Sequence, residues 1–463
     1  MSGEQNHNEE VATKIASLRD AFNSGRTRSY QWRRTQLQGL QRMLRENETA
    51  LGDAMHADLG RSHFEGWVSE NNFVANEINH TLKHLRDWMK PERVPTPTSL
   101  QPGNCHIHRE PLGVTLVLGA WNYPLQLAVA PAAAAISAGN CVLIKPSEIS
   151  TNCSKIVAEL LPRYVDNDCV QVIEGGIETS TALLAQRFDH IFYTGGAHVG
   201  RIVMTAAAKH LCPVTLELGG KSPVFVDRTA RIGVAARRIV RGKFWNTGQT
   251  CVAPDYALVH EDVIDTFIAE AKKAIKHSYG EDPSKSRDIG RIINDRHFER
   301  LSSLMEGGTV LAGGQTDAET RYIAPTLLGD VDLDSKLMTD EIFGPLLPII
   351  KVSSTDEAIA FINERDKPLA LYVFTGNKQV ENEVLSRTSS GGACVNETLM
   401  HLVAPDLPFG GVGPSGMGAY HGRAGFETYS HRKSVLSRST LIDPALAYPP
   451  FTDGKQKMAR HIM

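Results

Sequence analysis

The chain has 463 residues, of which 41% are hydrophobic and 22% charged. At about 150 residues per domain, this length predicts two or three domains with a sizeable core. Its 49 Lys and Arg against 52 Asp and Glu leave a formal charge of -3, which excludes a basic nucleic-acid binder, an acidic tail protein and a disordered chain.

The seven cysteines (Cys105, Cys141, Cys153, Cys169, Cys212, Cys251 and Cys394) are scattered and show no CxxC spacing. Neither a disulfide framework nor a metal site is expected. Free thiols fit a reducing compartment. Met1–Glu10 is polar and acidic, with no apolar core for a secretory signal, and Lys457–Met463 carries no prenylation or peroxisomal signal. A cytoplasmic protein is predicted.

The first ninety or so residues read as helices. Leu37, Leu40, Leu44, Leu51 and Met55 fall near one helical face, and Trp67, Val74, Ile78, Leu82 and Leu85 form a second stripe. Pro91, Pro95 and Pro97 end this region, and Cys105–Arg109 reads as a short strand. Pro111 to Ile144 contains no charged residue, and its length alone would permit a membrane span. Pro124, Pro131, Gly113, Gly119 and Gly139 divide it instead into strand Val114–Leu118, helix Leu127–Ser137 and strand Cys141–Ile144. Strands buried on both faces are what a parallel sheet requires. Val170–Ile173 and His190–Tyr193 are further strands, and Val199–Lys209 a helix. The alternation starts again with strands Val224–Val226, Ala257–Val259 and Ile349–Val352, and helices Gly233–Phe244 and Val263–Ile275. Two α/β units with different chemistry are the simplest account. From Pro405 the chain is Gly-rich, then polar, and reads as loop plus extended tail.

Cys251 lies in Phe244-Trp-Asn-Thr-Gly-Gln-Thr-Cys-Val-Ala-Pro-Asp255, a polar turn after a helix, where a thiol could meet a substrate. The alternative is a buried small side chain. Glu217, ending an apolar strand before Gly219 and Gly220, is poorly placed for solvation; burial would raise its pKa and make it a usable general base. The alternative is a salt bridge with Lys221. In Tyr193-Thr-Gly-Gly-Ala-His-Val-Gly200 a strand meets a helix through Gly195 and Gly196, with Gly200 one turn on, so backbone could approach a phosphate. It is neither a GxGxxG fingerprint nor a P-loop, and an ordinary Gly-rich connection serves equally well. Lys145-Pro-Ser-Glu148 follows a strand, where Glu148 could accept from ribose hydroxyls and Lys145 could meet a ribose or 2′-phosphate. An exposed ion pair is the alternative.

Together these segments resemble the aldehyde dehydrogenase superfamily, from about Ser29 to Ser434. The resemblance rests on Leu216-Glu-Leu-Gly-Gly-Lys-Ser-Pro223, Gly248-Gln-Thr-Cys251, Glu341-Ile-Phe-Gly-Pro345, Pro408-Phe-Gly-Gly-Val-Gly-Pro-Ser-Gly416 and Trp121-Asn-Tyr-Pro124, in that family's order. Cys251-Val-Ala-Pro-Asp-Tyr256 and Gly416-Met-Gly-Ala-Tyr-His-Gly422 are most similar to the class 3, fatty or aromatic aldehyde branch. The resemblance implies an α/β fold with a Rossmann-like cofactor domain (1–90 with 110–214), a catalytic domain (215–404) and a bridging segment (91–109 with 405–463). It implies Cys251 as nucleophile, Asn122 and the Cys251 N–H as oxyanion donors, and Glu217 as the base that activates water. It also places Lys145, Glu148, Thr194, Gly195, Gly196, Gly200, Leu218, Glu341 and Phe343 beside NAD or NADP, and Trp121, Tyr123 and Thr250 along the substrate funnel. An aldehyde substrate and a homodimer follow, with no nucleic-acid partner. The sequence departs from the family at Gly196-Ala-His198, where a Ser and a small residue are more usual, and it lacks a hydrophobic anchor after Ser434. His198 reads as an exposed helix-start residue and His421 as structural. The alternatives are a CoA-acylating enzyme, which Glu217 opposes, a non-catalytic protein on the same scaffold, and a cysteine hydrolase, for which no matching histidine arrangement is visible near Cys251.

Overall fold

The computed structural model describes residues 2–462. The N-terminal region is helical, but the first leucine stripe is shared between two helices, Tyr30–Glu46 and Glu48–Leu59, which break at Asn47. Ser29 caps the first by accepting the Trp32 N–H at 3.1 Å. Leu37, Leu40, Leu44, Leu51 and Met55 are all buried, so the stripe does face the core. The second stripe crosses a π turn, Trp67–Asn71, before the helix Asn72–Trp88. That extra residue per turn rotates Trp67 off the buried face, and it is 36% exposed.

A six-stranded sheet follows, ordered Gly416–Met417, Val214–Glu217, His190–Thr194, Val114–Leu118, Cys141–Lys145, Val170–Val172. All pairs are parallel except the first. Val114–Leu118 and Cys141–Lys145 are buried throughout, as the uncharged run from Pro111 requires. Helix Gln126–Ala138 connects them and ends at Gly139, whose φ of 92° is open to glycine. Among the described residues no helix is long and apolar enough to cross a membrane.

The second, seven-stranded sheet runs Thr309–Ala312, Thr326–Gly329, Leu346–Val352, Tyr256–His260, Pro223–Val226, Ala370–Phe374, Gly392–Val395. A three-stranded sheet of Glu92–Val94, Gly103–Pro111 and Ser430–Arg438 lies apart from both.

Three expectations need correcting. A division at 214/215 cuts the strand Val214–Glu217, which pairs along its length with His190–Thr194 and so belongs whole to the first sheet. Gly416–Met417, expected in the bridging segment, pairs antiparallel with Leu216 and Glu217 in that same sheet. The tail is also more ordered than loop and extended chain, with helices Gly422–Thr428 and Asp453–Ile462 and the long strand between them. Its glycines obscured the aromatic anchors: Tyr420 lies 4.9 Å edge-on from Phe192 and 4.1 Å from the His421 ring.

Candidate active site

Cys251 enters from the second unit on a turn of unusual backbone. Asn246, Thr247 and Gly248 have φ of 50°, 54° and 75°. For Asn246 and Thr247 such angles cost of order 1–3 kcal/mol each and persist only where the surroundings over-determine them. At Gly248 a Cβ would lie 2.2 Å from the Gly344 carbonyl, so the turn is pressed against Glu341-Ile-Phe-Gly-Pro345. Asn246 Nδ2 donates to the carbonyls of Asn122 (2.8 Å) and Gln249 (3.1 Å). Gln249 is itself held by the Arg291 carbonyl (3.0 Å) and the Ile293 N–H (3.0 Å).

Asn122 is buried, and its side-chain amide donates to the Gln249 carbonyl at 3.1 Å, which leaves its second hydrogen free. Tyr123 and Thr250 meet through their hydroxyls at 2.7 Å and are buried. Tyr123 therefore fastens the two loops together. Trp121 is half-buried, packed at 5.4 Å edge-on to Phe343 and at 5.2 Å from His297.

Cys251 is half-buried, and the amides of Cys251 and Val252 face its sulfur. Burial is the largest influence on the thiol, followed by the charges of Glu341 and Glu217, and all three push its pKa up. Glu217, from the first unit, is 3% exposed with neither carboxyl oxygen hydrogen-bonded. The salt bridge to Lys221 is not formed, because Lys221 pairs with Asp255 and donates to the Leu337 and Asp340 carbonyls. Burial alone holds the Glu217 pKa well above the carboxylate range. A buried polar group without a partner calls for an explanation, and a proton acceptor in waiting is one. Glu341 lies against Gly219, where a Cβ would come within 2.1 Å of its carboxylate, and burial raises it to about 8.

The remaining predicted residues gather at the carboxyl edge of the first sheet. Lys145 is buried at a strand end with its ammonium 2.5 Å from the half-exposed Glu148. Thr194 is buried with an unpartnered Oγ1. Gly195 has φ 158° and abuts the Tyr193 hydroxyl, while a Cβ at Gly196 would meet nothing within 4 Å. Gly196 opens the helix Ala197–Ala208, and Gly200 lets the Leu218 side chain pack on it. His198 is exposed there. His421 is buried, its Nδ1 3.4 Å from Glu77. Around this edge Ile149, Ile177 and Val199, each just past a strand end, are 39%, 80% and 43% exposed. Such an apolar fringe on the carboxyl ends of parallel strands, with a buried lysine, an orphan hydroxyl and an open glycine turn, fits a dinucleotide.

The residue pattern did not single out Asn246, Gln249, Glu65, Glu70 or Arg61. The first two lie inside the cysteine segment, where two amides beside a Gly were the available signal. The others sit in the N-terminal region, read only for its apolar helical stripes.

The aldehyde dehydrogenase family profile matches residues 2–435. This chain belongs to the aldehyde dehydrogenase family. It is 50% identical over 97% of its length, and 99% of the relative, to "Aldehyde dehydrogenase, dimeric NADP-preferring" of Rattus norvegicus. It is also 50% identical to "Aldehyde dehydrogenase family 3 member B1" of Homo sapiens, covering 96% of this chain and 95% of that one. Among solved structures, the substrate-bound state of a Staphylococcus aureus AldH superposes with a TM-score of 0.95 at 43% identity, covering 97% of this chain and 99% of that one. The likeness to family 3 members agrees with the class 3 features read from Cys251–Tyr256 and Gly416–Gly422.

A general base works ionised, so its contribution is lost as pH falls through its folded pKa. Were Glu217 the base that hydrolyses an acyl-enzyme, its raised pKa would make that step fail at a pH well above that of an ordinary carboxylate. Glu217→Gln should slow that step about 10²–10⁴-fold and flatten its pH profile. Single-turnover acid release from pH 5 to 9 measures both.

Proposed function

We propose that this protein oxidises aliphatic or aromatic aldehydes to carboxylic acids with NAD or NADP, by covalent catalysis at Cys251. The observation that carries this reading is a buried, unpartnered Glu217 whose charge acts on the Cys251 thiol, with the Asn122 amide bonded to the Gln249 carbonyl two residues before that cysteine.

Cys251, its thiol proton released to bulk water, attacks the aldehyde carbonyl to give a thiohemiacetal. Its oxyanion is taken by the free hydrogen of the Asn122 amide and by the Cys251 N–H, each worth about 3 kcal/mol in the transition state. A nicotinamide held in this site would supply the hydride acceptor for that oxidation. Cys251 then carries a thioester, and Glu217 takes a proton from the water that attacks it, releasing the acid and restoring the thiol. Lys145 and Glu148 would hold the adenosine ribose and Glu341 the second ribose, with Phe343 packed nearby. Thr194, Gly195, Gly196, Gly200 and Leu218 border the dinucleotide. Trp121, Tyr123 and Thr250 line the aldehyde path, and the aromatic pair favours apolar substrates over charged semialdehydes. Hydrolysis by Glu217 opposes transfer to coenzyme A.

The domain division belongs to the same proposal, with the boundary moved past Glu217. The three-stranded sheet serves as a bridging arm: Ser430–Arg438 is an edge strand with its outer side unpaired, and such edges are completed or protected in native assemblies. A cytoplasmic homodimer follows, in keeping with the word dimeric in the rat relative's name.

Reduced-nicotinamide absorbance with hexanal, a long-chain aldehyde and benzaldehyde should show turnover that Cys251→Ala abolishes. Acyl-CoA formed in place of free acid would sink the hydrolytic assignment. Because the Glu148 carboxylate repels a 2′-phosphate that Lys145 can pair with, Glu148→Gln should shift the NADP/NAD ratio of kcat/KM upward by about tenfold. An unchanged ratio counts against that placement. Light scattering on the purified chain should give twice the chain mass, and a stable monomer would remove the arm's role.

A further inference from the structure

Glu65 is a buried carboxylate outside the proposed chemistry whose contacts lead straight into it. The segment from Arg61 to Glu70 puts three charged side chains into the interior, with Arg61, Glu65 and Glu70 at 0%, 7% and 0% exposure. Arg61 pairs with Glu70, and the other Glu70 oxygen accepts the N–H groups of Leu125 (2.7 Å) and Gln126 (3.0 Å). The Arg61 guanidinium also lies 5.2 Å over the Tyr123 ring. These contacts fix the loop that carries Asn122 and Tyr123. On the opposite side, Glu65 Oε1 accepts the Asn246 N–H at 2.7 Å. Asn246 is the first residue of the left-handed turn before Cys251, and its side chain reaches the Asn122 carbonyl.

We propose that Glu65 is a positioning residue, which by holding the Asn246 N–H fixes the left-handed turn and so aligns the Cys251 thiol with the Asn122 amide. Arg61 and Glu70 hold the facing loop, so one N-terminal segment clamps nucleophile and oxyanion donor together. This inference rests on aldehyde oxidation at Cys251.

The test is the hydride burst, followed by stopped flow with NAD and hexanal. Glu65→Leu removes the acceptor at similar volume and should slow the burst about 10–100-fold without weakening NAD binding. Glu65→Gln keeps an acceptor oxygen and should restore most of the rate. In an Asn122→Ala background Glu65→Leu should lose most of its effect, because the donor it aligns is gone. Should Glu65→Leu fail to fold, Asn246→Ala, which cuts the side-chain link from turn to Asn122, carries the same expectation. A wild-type burst rate in the variant that folds, equal losses in the Leu and Gln variants, or full additivity with Asn122→Ala would overturn the inference. No reduced nicotinamide formed by the unmodified chain with any aldehyde would instead overturn the oxidation reading, and the inference with it.

Discussion

Desolvation without an adjacent counter-charge is the condition on which this site depends. Glu217 and Glu341 are both raised by burial, and the Cys251 thiol is raised by burial and by those carboxylates. Lys221 and Arg300 offset part of the effect on Glu341, and no cation offsets it on Glu217. Lys221 is committed to Asp255, and Lys243 is buried without a hydrogen-bond partner, its pKa lowered to about 8. Each ionisation in this volume makes the next one costlier. A carboxylate whose pKa is raised by burial is, once ionised, a stronger proton acceptor than one in water. The same dryness strengthens every fixed dipole aimed at a developing oxyanion.

Such a site demands stiff walls, because a loop free to relax would admit water or turn a donor away. The structure meets the demand by tying the Cys251 turn to elements remote in sequence. Asn246 is held by Glu65, Gln249 by Arg291 and Ile293, Thr250 by Tyr123, and Gly248 by the backbone at Gly344. The Tyr372 hydroxyl adds a bond to the Val252 carbonyl at 2.6 Å. Cys251 is therefore fixed by its neighbours on both sides, which is what allows φ near 50° at Asn246 and Thr247 to persist.

The parallel strands were legible because they are buried on both faces and bounded by glycine, proline and polar residues; each of Val114–Leu118, Cys141–Ile144, His190–Tyr193 and Val224–Val226 lies within an observed strand. Residues defined by local chemistry were equally readable, such as a glutamate ending an apolar strand or a cysteine in a polar turn. What escaped was long-range. A helix with Glu65 and Glu70 among polar neighbours looks solvated, and only the packing of loops separated from it by dozens of residues makes those carboxylates interior. The break at Asn47 was invisible for a similar reason, since both helices present their leucines to one core. The tail misled in the opposite way: its glycines suggest loop, whereas several of them permit close backbone approach.

That last feature connects the arm to the chemistry. A Cβ at Gly416 would fall 2.2 Å from the Leu216 carbonyl, and one at Gly411 would fall 2.1 Å from the Ser415 carbonyl. Only a glycine-rich hairpin can lie this close to the strand that ends in Glu217. There it pairs Gly416 with Glu217, and the Ser415 carbonyl accepts the Leu218 N–H at 3.2 Å. The chain then passes through Tyr420, packed on Phe192, and the helix Gly422–Thr428 into the strand Ser430–Arg438. The carboxylate's backbone is thus clamped between the first sheet and a segment continuous with the arm. Backbone hydrogen bonds tie the strand that holds Glu217 to the segment leading into Ser430–Arg438. Because this path runs through paired strands and packed rings rather than a loose linker, the rigidity of the base and the integrity of the arm are one mechanical problem.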